Sequence, residues 1–313
     1  MITGTEKNLD RAENSGYSNF LYADSLNEFG IPIELNNCVG WLLSRPIANS
    51  HLRDCTSCYP MFSCRDWSRL KDDLDNLPSD LVSVVLVSDP FGEYDQDLLL
   101  SCFDYVIPFK KHYSVDLEKP FKNFISKTHL KFALSAQHHM QIELCANPSD
   151  FLDDWCRLYG ELVLCKNITG ISTFSRRAFQ IQLAVPGIVL FRASVDNETI
   201  ALDWWYIQGE VAHGHLVAIG ARGYELHASY ALKLAVLEYF KDRLHWLNLG
   251  GVPGLCDNSN NGLAAFKKGW SNGVKTTWLC GRIINKQVYN ELAIKRNCVD
   301  ANYFPVYRQG KTI

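Results

Sequence analysis

The sequence lacks any long hydrophobic run. Its strongly apolar stretches are short, such as LVSVVLV at 81–87, and none approaches the roughly 20 residues that a helix needs to cross a bilayer. The N-terminal segment MITGTEKNLDRAENSGYSN is polar and lacks the apolar core of a secretory signal. We therefore expect a cytoplasmic protein without a membrane span.

The chain also lacks a marked excess of either charge. Lys and Arg together number 31, and Asp and Glu number 34, which gives a net charge of −3. A surface of this balance does not attract nucleic acid or anionic membranes as a whole, although a local basic patch is compatible with it. The hydrophobic share of 47% and the charged share of 21% are typical of a folded globular protein rather than a disordered one.

The cysteines do not form an even set, because the chain has 11 of them. A chain of 313 residues does not need disulfides to fold, and reduced thiols are the simplest interpretation. Zinc is an alternative at the single C-x2-C pair in the segment HLRDCTSC. Its candidate ligands are His51, Cys55, Cys58 and Cys64, with Cys38 upstream. The sequence has no second pair of this kind, and the segment also fits a loop or strand that enters a core, so we predict no metal site.

The pattern of apolar residues changes along the first part of the chain. Residues 1–16 are polar and predict a loose tail. Between 17 and 117, short β-rich runs alternate with segments of helical spacing. Strand-like runs occur at 31–35, 39–47, 81–89 and 105–117, and helix-like runs at 65–77 and 94–103.

The second part opens with three amphipathic segments and then changes character. Three strand-like runs over 187–220 are joined by the turn dipeptides DN and GE, a pattern that predicts an antiparallel meander. The predicted helices lie at 119–139, 149–164, 174–185, 225–243, 261–270 and 286–295, and two further strands at 246–251 and 274–284.

Two segments of this second part carry motifs of a known family. NGLAAFKKGWS ends in an aromatic–Lys–Gly–aromatic pattern, and WLNLGGVPG is an apolar strand that ends in Gly-Gly. Together with the preceding helix SYALKLAVLEYFKDR, they resemble the GNAT N-acyltransferases. They are most similar to the Fem-type branch, the peptidoglycan-bridge aminoacyltransferases and their acetyltransferase-like relatives, and YFPVYR at 303–308 resembles a tail segment of bacterial members.

The resemblance implies a fold and a division of the chain. The fold class is α/β, or α+β, with a GNAT-like mixed sheet flanked by helices and two GNAT-like halves. The N-terminal half would follow the tail and span 17–118. The acyltransferase domain would span 119–313.

The resemblance also implies an activity. It predicts a transferase that moves an acyl group from a thioester donor, acyl-CoA or an acyl carrier protein, to an amine on a small molecule or peptide. The donor would be a co-substrate, with no tightly bound cofactor. One alternative is an aminoacyl-tRNA donor, to which the net acidic charge is less suited; another is a non-catalytic binding module. A basic stripe in the helix at 119–139 could contact carrier phosphates, but a solvated helix face explains it equally.

The acyl-donor site would lie at 220–228, GARGYELHA, between the third strand of the meander and the long helix. Arg222 would supply charge, Gly220 and Gly223 would permit unusual backbone angles, and the helix N-terminus would offer N–H groups. The segment departs from the usual GNAT fingerprint, since His227-Ala228 stands where Gly-Ala is expected. The residues predicted to contact the donor are Arg222, Gly223, His227, Ala228, Ser229, Asn261, Lys267 and Lys268.

The catalytic groups are predicted from the meander and the helix after it. His215 is the candidate base for the amine, and Asp203 would orient a histidine or bind the amine. The phenol that many GNAT enzymes use as an acid is missing from the helix after Gly-Gly, and Tyr230 is the candidate substitute. The residues predicted to line the substrate site are Trp205, His213, Gly250 and Gly251.

Overall fold

The computed structural model describes residues 14–48, 50–252, 262–298 and 303–309. Asn261, predicted to contact the acyl donor, lies outside these ranges, as does most of the predicted tail. The strands in the described ranges are β1 (Ile31–Leu35), β2 (Gly40–Pro46), β3 (Arg53–Ser57), β4 (Leu81–Val87), β5 (Tyr105–Asp116), β6 (Gln141–Leu144), β7 (Ile188–Val195), β8 (Glu198–Gln208), β9 (Val211–Ile219), β10 (Trp246–Gly250) and β11 (Gly273–Ile283).

The helices are interspersed with the strands, and within the described ranges none is long and apolar enough to cross a membrane. They are α1 (Phe20–Ser25), α2 (Leu70–Asp75), α3 (Gln96–Cys102), α4 (Lys127–Ala136), α5 (Leu152–Lys166), α6 (Arg176–Gln182), α7 (Ala221–Glu225), α8 (Ala228–Phe240), α9 (Gly262–Lys268) and α10 (Lys286–Lys295).

The chain folds into two compact units whose boundaries differ from the predicted 17–118 and 119–313. One unit contains 110–168 and 173–275, and the other contains 17–109, 169–172 and 276–313. The C-terminal segment belongs with the first hundred residues because β11 pairs antiparallel with β4. The Tyr307 and Ser83 hydroxyls are also hydrogen-bonded, at 2.7 Å. No local pattern in the sequence reveals this return of the chain.

Residues 14–16 were predicted to belong to a loose tail, and this is wrong. The Ser15 hydroxyl donates a hydrogen bond to the Ile207 carbonyl at 2.6 Å. The Gly16 N–H donates to the Pro186 carbonyl at 3.0 Å. This short segment is therefore attached to the unit that contains 173–275.

The unit formed by 17–109 and 276–313 has the strand order β1-β2-β3-β4-β11. Its neighbours are antiparallel except β3 and β4, which are parallel. Cys38, Cys55 and Cys64 pack inside its core. Burial raises the pKa of the Cys55 and Cys58 thiols to about 12, so both stay protonated at neutral pH. Among the described residues, the candidate zinc ligands His51, Cys55, Cys58 and Cys64 do not bring three ligand atoms within 4.8 Å of one another.

The unit formed by 110–168 and 173–275 has the strand order β5-β10-β9-β8-β7-β6. Strands β7, β8 and β9 form the predicted antiparallel meander, and β6, which was not predicted, pairs antiparallel with β7. Residues of β8 alternate between two layers. Trp205 packs against Phe240 of α8, whereas Trp204 packs against Trp155 of α5. The sheet therefore has one face under α8 and the other under α5 and α6.

Strands β9 and β10 pair in parallel over a short distance, and the pairing then ends. The paired residues are Trp246–Asn248 of β10 and Val211–His213 of β9. β9 continues to Ile219, and β10 ends at Gly250. Several polar side chains lie around the point where the pairing of β9 with β10 ends.

Candidate functional site

The Gly-Gly pair at the end of β10 is needed for two different reasons. Gly250 has φ of +74°, a conformation that side-chain-bearing residues adopt only at a cost. A Cβ at Gly250 would also lie 3.3 Å from the Lys267 ammonium nitrogen. Gly251 has no such angle, but its Cβ would lie 3.2 Å from Cδ2 of His112. The two glycines thus let Lys267 and His112 approach the backbone closely.

Lys267 of α9 reaches this same backbone. Its ammonium donates a hydrogen bond to the Gly251 carbonyl at 2.5 Å. Partial burial lowers the pKa of Lys267 to about 7, and the positive charges of Lys233 and Lys110 lower it further, against the opposing effect of Asp203. A lysine of this pKa exchanges a proton readily at neutral pH.

Asn248 joins two buried histidines through its side-chain amide. The Gly250 N–H donates to Asn248 Oδ1 at 2.9 Å, which fixes the amide orientation because only the oxygen accepts. His112 Nδ1 lies 3.1 Å from that oxygen, and His213 Nδ1 lies 3.1 Å from Asn248 Nδ2. Nδ1 of His112 therefore carries a proton and donates it in the hydrogen bond to Asn248. Nδ1 of His213 is unprotonated and accepts a hydrogen bond from the Asn248 amide.

Asp203 forms an ion pair instead of orienting a histidine. Its carboxylate accepts from the Lys233 ammonium at 3.0 Å, and both side chains are largely buried. The same ammonium lies 4.4 Å from the ring centre of Trp205. The pair holds Lys233 of α8 beside β8. Lys267, in contrast, has no carboxylate at hydrogen-bond distance among the described residues.

His215 lies at a bulge of β9, where the pairing with β8 shifts register between Trp204 and Trp205. Its ring is surrounded by Trp204, Tyr206 and Phe174, and its Nε2 is 3.3 Å from Gln182 Oε1. Burial lowers the pKa of His215 to about 3. His213 and His215 therefore have different partners, in β10 and in α6.

The segment predicted to bind the acyl donor is not an open loop. Residues Ala221–Glu225 form the short helix α7, and His227 adopts the left-handed conformation before α8 begins at Ala228. Unusual angles were predicted at Gly220 and Gly223, and this is wrong, since neither has positive φ. Gly223 is needed for space, because a Cβ would meet the Ile200 carbonyl oxygen at 2.6 Å.

Arg222 is exposed and lies at the surface of α7. Its guanidinium donates to Glu198 at 3.1 Å and to Asp196 at 3.3 Å. Its charge is thus partly satisfied by two carboxylates. Ala228 and Ser229 form the first turn of α8, where backbone N–H groups have no acceptor within the helix.

Tyr230, the candidate acid, belongs to an aromatic cluster with α9. Its ring centre lies 5.0 Å from that of Phe266 and 5.1 Å from that of His129 of α4. His129 in turn stacks on Trp270 at 5.5 Å. The aromatic residues of the Phe-Lys-Lys-Gly-Trp motif therefore anchor α9 against α4 and α8, which fixes the position of Lys267.

Gly269 of this motif has no room for a side chain. A Cβ there would lie 1.9 Å from Cε1 of His129, whose ring is held by its aromatic neighbours. We expect Gly269→Ala to reduce the free energy of unfolding by about 1–3 kcal/mol, typical of overpacking. Urea denaturation measures this effect.

A double-mutant cycle with His129→Ala tests the cause of the Gly269 effect. If His129 is the obstacle, the double variant loses less stability than the sum of the two single variants. Strict additivity of the two losses would show that Gly269 is needed for another reason.

Several solved structures share the fold. FemX aligns over 90% of this chain and 96% of its own at 11% identity, with a TM-score of 0.67. L-PGS from Bacillus licheniformis aligns over 88% and 95% at 13% identity, with a TM-score of 0.55. A conserved protein of unknown function from Bacteroides thetaiotaomicron aligns over 88% and 94% at 11% identity, with a TM-score of 0.54.

The chain has a Fem-like GNAT fold. The predicted fold class, with a mixed sheet flanked by helices, is therefore confirmed. No protein-family model and no curated protein matches the sequence. The identities are low, so the likeness shows the fold alone.

Within this Fem-like GNAT fold, the predicted residues fall into separate groups. One group lies where the pairing of β9 with β10 ends. It consists of Lys267, His213, Gly250 and Gly251, and the charge of Asp203 acts on Lys267. Trp205 is fully buried under α8. Arg222 lies at the surface of α7, and Lys268 is exposed at the end of α9.

Sequence reasoning missed four polar residues of the site, and two of them left a signal. Lys233 interrupts the apolar pattern ALKLAVL, and Asn248 interrupts the apolar strand WLNLG. A polar residue at a buried position of an apolar element usually has a specific partner. Lys110 and His112 left none, because β5 carries other basic residues around them in the segment FKKHY.

Proposed function

We propose that this chain is an N-acyltransferase that moves an acyl group from an activated carrier to an amine by direct attack, without a covalent enzyme intermediate. The observation that carries the proposal is the position of Lys267. Its ammonium donates a hydrogen bond to the Gly251 carbonyl, close to the point where the pairing of β9 with β10 ends. Burial lowers the pKa of Lys267 to about 7. Positive charge at such a site would stabilise the oxyanion of the tetrahedral intermediate or protonate the leaving group.

The excess of positive charge at the site supports this role. Besides burial, the positive charges of Lys233 and Lys110 lower the pKa of Lys267, and the charge of Asp203 opposes them. An oxyanion that develops beside Lys267 would relieve this repulsion. The carrier atom that leaves, a thiolate or an alkoxide, could take its proton from the same ammonium. Lys267 thus serves the step at which negative charge appears.

Candidate acyl carriers differ in what they would require of α7 and α8. Acyl-CoA or an acyl carrier protein would place its phosphates near α7 and the first turn of α8. Arg222 is however paired with Glu198 and Asp196, which weakens it as a phosphate ligand. The second candidate donor is aminoacyl-tRNA, whose ester would still require Lys267 at the reacting carbonyl.

Parallel reactions distinguish the carriers. The chain is incubated with a mixture of amines and either acyl-CoA, acyl carrier protein charged with an acyl group, or aminoacyl-tRNA, and amide products are measured by mass spectrometry. Product that requires acyl-CoA or the charged carrier protein and survives RNase supports the thioester donor. Product that RNase abolishes supports the tRNA donor. A chain that binds amines or carriers but forms no amide is a binding module.

The pH dependence of Lys267→Arg tests the protonation state of Lys267. The protonated lysine is the active form in this proposal, and its fraction falls as the pH rises through about 7. The guanidinium of the variant stays protonated. We therefore expect the ratio of kcat/KM for Lys267→Arg to that for the wild type to rise above this pH. The ratio cancels the titration of the acceptor amine, and a constant ratio would exclude Lys267 as the titrating group.

A further inference from the structure

We propose that His112, a residue outside the recognised sequence motifs, accepts the proton of the attacking amine, and that Asn248 holds His112 in the tautomer that this requires. The inference rests on the proposed acyl transfer. It assigns the base role to β5 instead of to His215 of β9.

The tautomer of His112 follows from the hydrogen bonds of Asn248. Oδ1 of Asn248 already accepts from the Gly250 N–H and can only accept again, so His112 Nδ1, 3.1 Å away, must donate. A neutral imidazole that carries its proton on Nδ1 has a lone pair on Nε2. Asn248 is 3% exposed, so water does not compete for its oxygen.

The Nε2 edge of the His112 ring lies beside Gly251, at the proposed reaction centre. A Cβ built on Gly251 would lie 3.5 Å from His112 Nε2, and the Gly251 carbonyl accepts from Lys267. Within the part of the chain that the structure describes, Nε2 of His112 has no hydrogen-bond partner. Lys267 and His112 therefore contact the same glycine, one through its oxygen and the other across the space where a side chain would be.

The other two buried histidines are less suited to the role. The Nε2 of His215 is next to Gln182 Oε1, and aromatic rings surround its imidazole. His213 uses Nδ1 to accept from Asn248, which leaves its proton on Nε2. A histidine with a proton on Nε2 cannot accept a second one there.

The proposed transfer conserves atoms and charge. The amine lone pair forms the C–N bond, and the nitrogen passes a proton to His112 Nε2, while Nδ1–H stays bonded to Asn248. The bond from carbon to the carrier sulfur or oxygen breaks, and the leaving atom takes a proton from the Lys267 ammonium. His112 then returns its proton to Lys267, and the products are the amide and the protonated carrier.

Nuclear magnetic resonance of protein labelled with ¹⁵N-histidine tests the tautomer without any substrate. The nitrogen shifts of His112, assigned by comparison with His112→Phe, are expected to show Nδ1 protonated and Nε2 unprotonated at neutral pH. Protonation on Nε2 would overturn the proposal, whether or not the chain transfers acyl groups.

Kinetics of two variants test the role in transfer. We expect His112→Phe to lower kcat about 100-fold, as typical for loss of a general base, with His139→Phe, at an exposed position of the same unit, as the control. Unchanged kcat in His112→Phe, with the wild type active, would overturn the role of His112 while the proposed function stands. Absence of wild-type product with every carrier would instead remove the proposed function and the base role with it.

Asn248→Asp is a nearly isosteric variant that covers the case in which His112→Phe does not fold. A carboxylate at 248 still accepts from the Gly250 N–H and from His112, and its charge raises the pKa of His112. In the wild type, burial lowers the pKa of His112 to about 3. The charges of Lys267 of α9, His213 of β9 and Lys110 of β5 lower it further, and the hydrogen bond to Asn248 opposes them. A protonated His112 cannot accept the amine proton, so the acidic limb of kcat/KM should move to higher pH. An unmoved limb would overturn the positioning role of Asn248.

Discussion

Lys267→Met is expected to lower kcat/KM about 1000-fold, because it removes a positively charged hydrogen-bond donor from the reacting carbonyl and the leaving group. Methionine keeps the length and apolar stem of the side chain, so α9 keeps its packing through Phe266 and Trp270. The loss should therefore appear in turnover, with little change in the temperature of unfolding.

Lys268→Met is the matched control for this prediction. Lys268 is the next residue of the same helix but is exposed, and substitution there should change kcat/KM by no more than about twofold, the range of ordinary surface positions. Equal losses in the two variants would indicate a general effect of positive charge on carrier binding. Full activity of Lys267→Met would remove Lys267 from the mechanism.

Asp54→Asn is expected to reduce the free energy of unfolding by about 3–5 kcal/mol, because it leaves buried cations without their counterion. Asp54 is fully buried. Its carboxylate accepts hydrogen bonds from Arg45 Nε at 3.2 Å and from the Tyr307 hydroxyl at 3.1 Å. It also accepts two from Arg308, from Nε at 2.7 Å and from Nη2 at 2.8 Å. One carboxylate thus attaches the segment after α10 to β3.

The Arg45 side chain makes this site sensitive. Its two terminal nitrogens are buried and have no hydrogen-bond partner in the described residues, so Asp54 is the group that offsets its charge. Burial lowers the pKa of Arg45, against the effect of Asp54. Asparagine retains the shape of the aspartate but none of its charge.

Asp80→Asn supplies the comparison for Asp54→Asn. Asp80 accepts from Arg53 at 2.9 Å, but both side chains are exposed, and pairs of this kind contribute about 0–1 kcal/mol. In urea denaturation, Asp80→Asn should therefore lose much less free energy of unfolding than Asp54→Asn. Similar small losses would mean that the network around Asp54 adds little stability.

Elements with a strong local pattern could be predicted from the sequence. The spans 31–35 and 286–295 agree with β1 and α10 at both ends, and the meander over 187–220 is present as β7, β8 and β9. The alternation of side chains along β8 puts Trp204 and Trp205 on opposite faces. These features depend on residues close together in sequence.

Other elements were missed because their signals are weak or come from distant contacts. β6 has four residues, too few for a clear alternation, and α1 has six. The helix predicted at 119–139 begins only at Lys127, after a 3-10 turn at Phe121–Asn123. The predicted acyl-donor segment at 220–228 contains the short helix α7, in which Gly223 leaves room for the Ile200 carbonyl, a contact distant in sequence.

The candidate site shows the same limit. Lys267, Gly250 and Gly251 carry a motif and could be predicted, whereas His112 depends on a contact with Asn248 across 136 positions. That contact becomes visible only when β5 and β10 are known to pair. The Phe-Lys-Lys-Gly-Trp motif thus indicates the fold and Lys267. The polar neighbours of Lys267 can be identified only from the pairing of the strands.

The most direct test of acyl transfer is the detection of an amide product. Wild-type chain, Lys268→Met and Lys267→Met are incubated with the three carriers and a mixture of amines, and amides are quantified by mass spectrometry. We predict product with the wild type and with Lys268→Met for at least one carrier, and a loss of nearly all product with Lys267→Met. No amide from any carrier, or equal amounts from all three chains, would contradict the proposal.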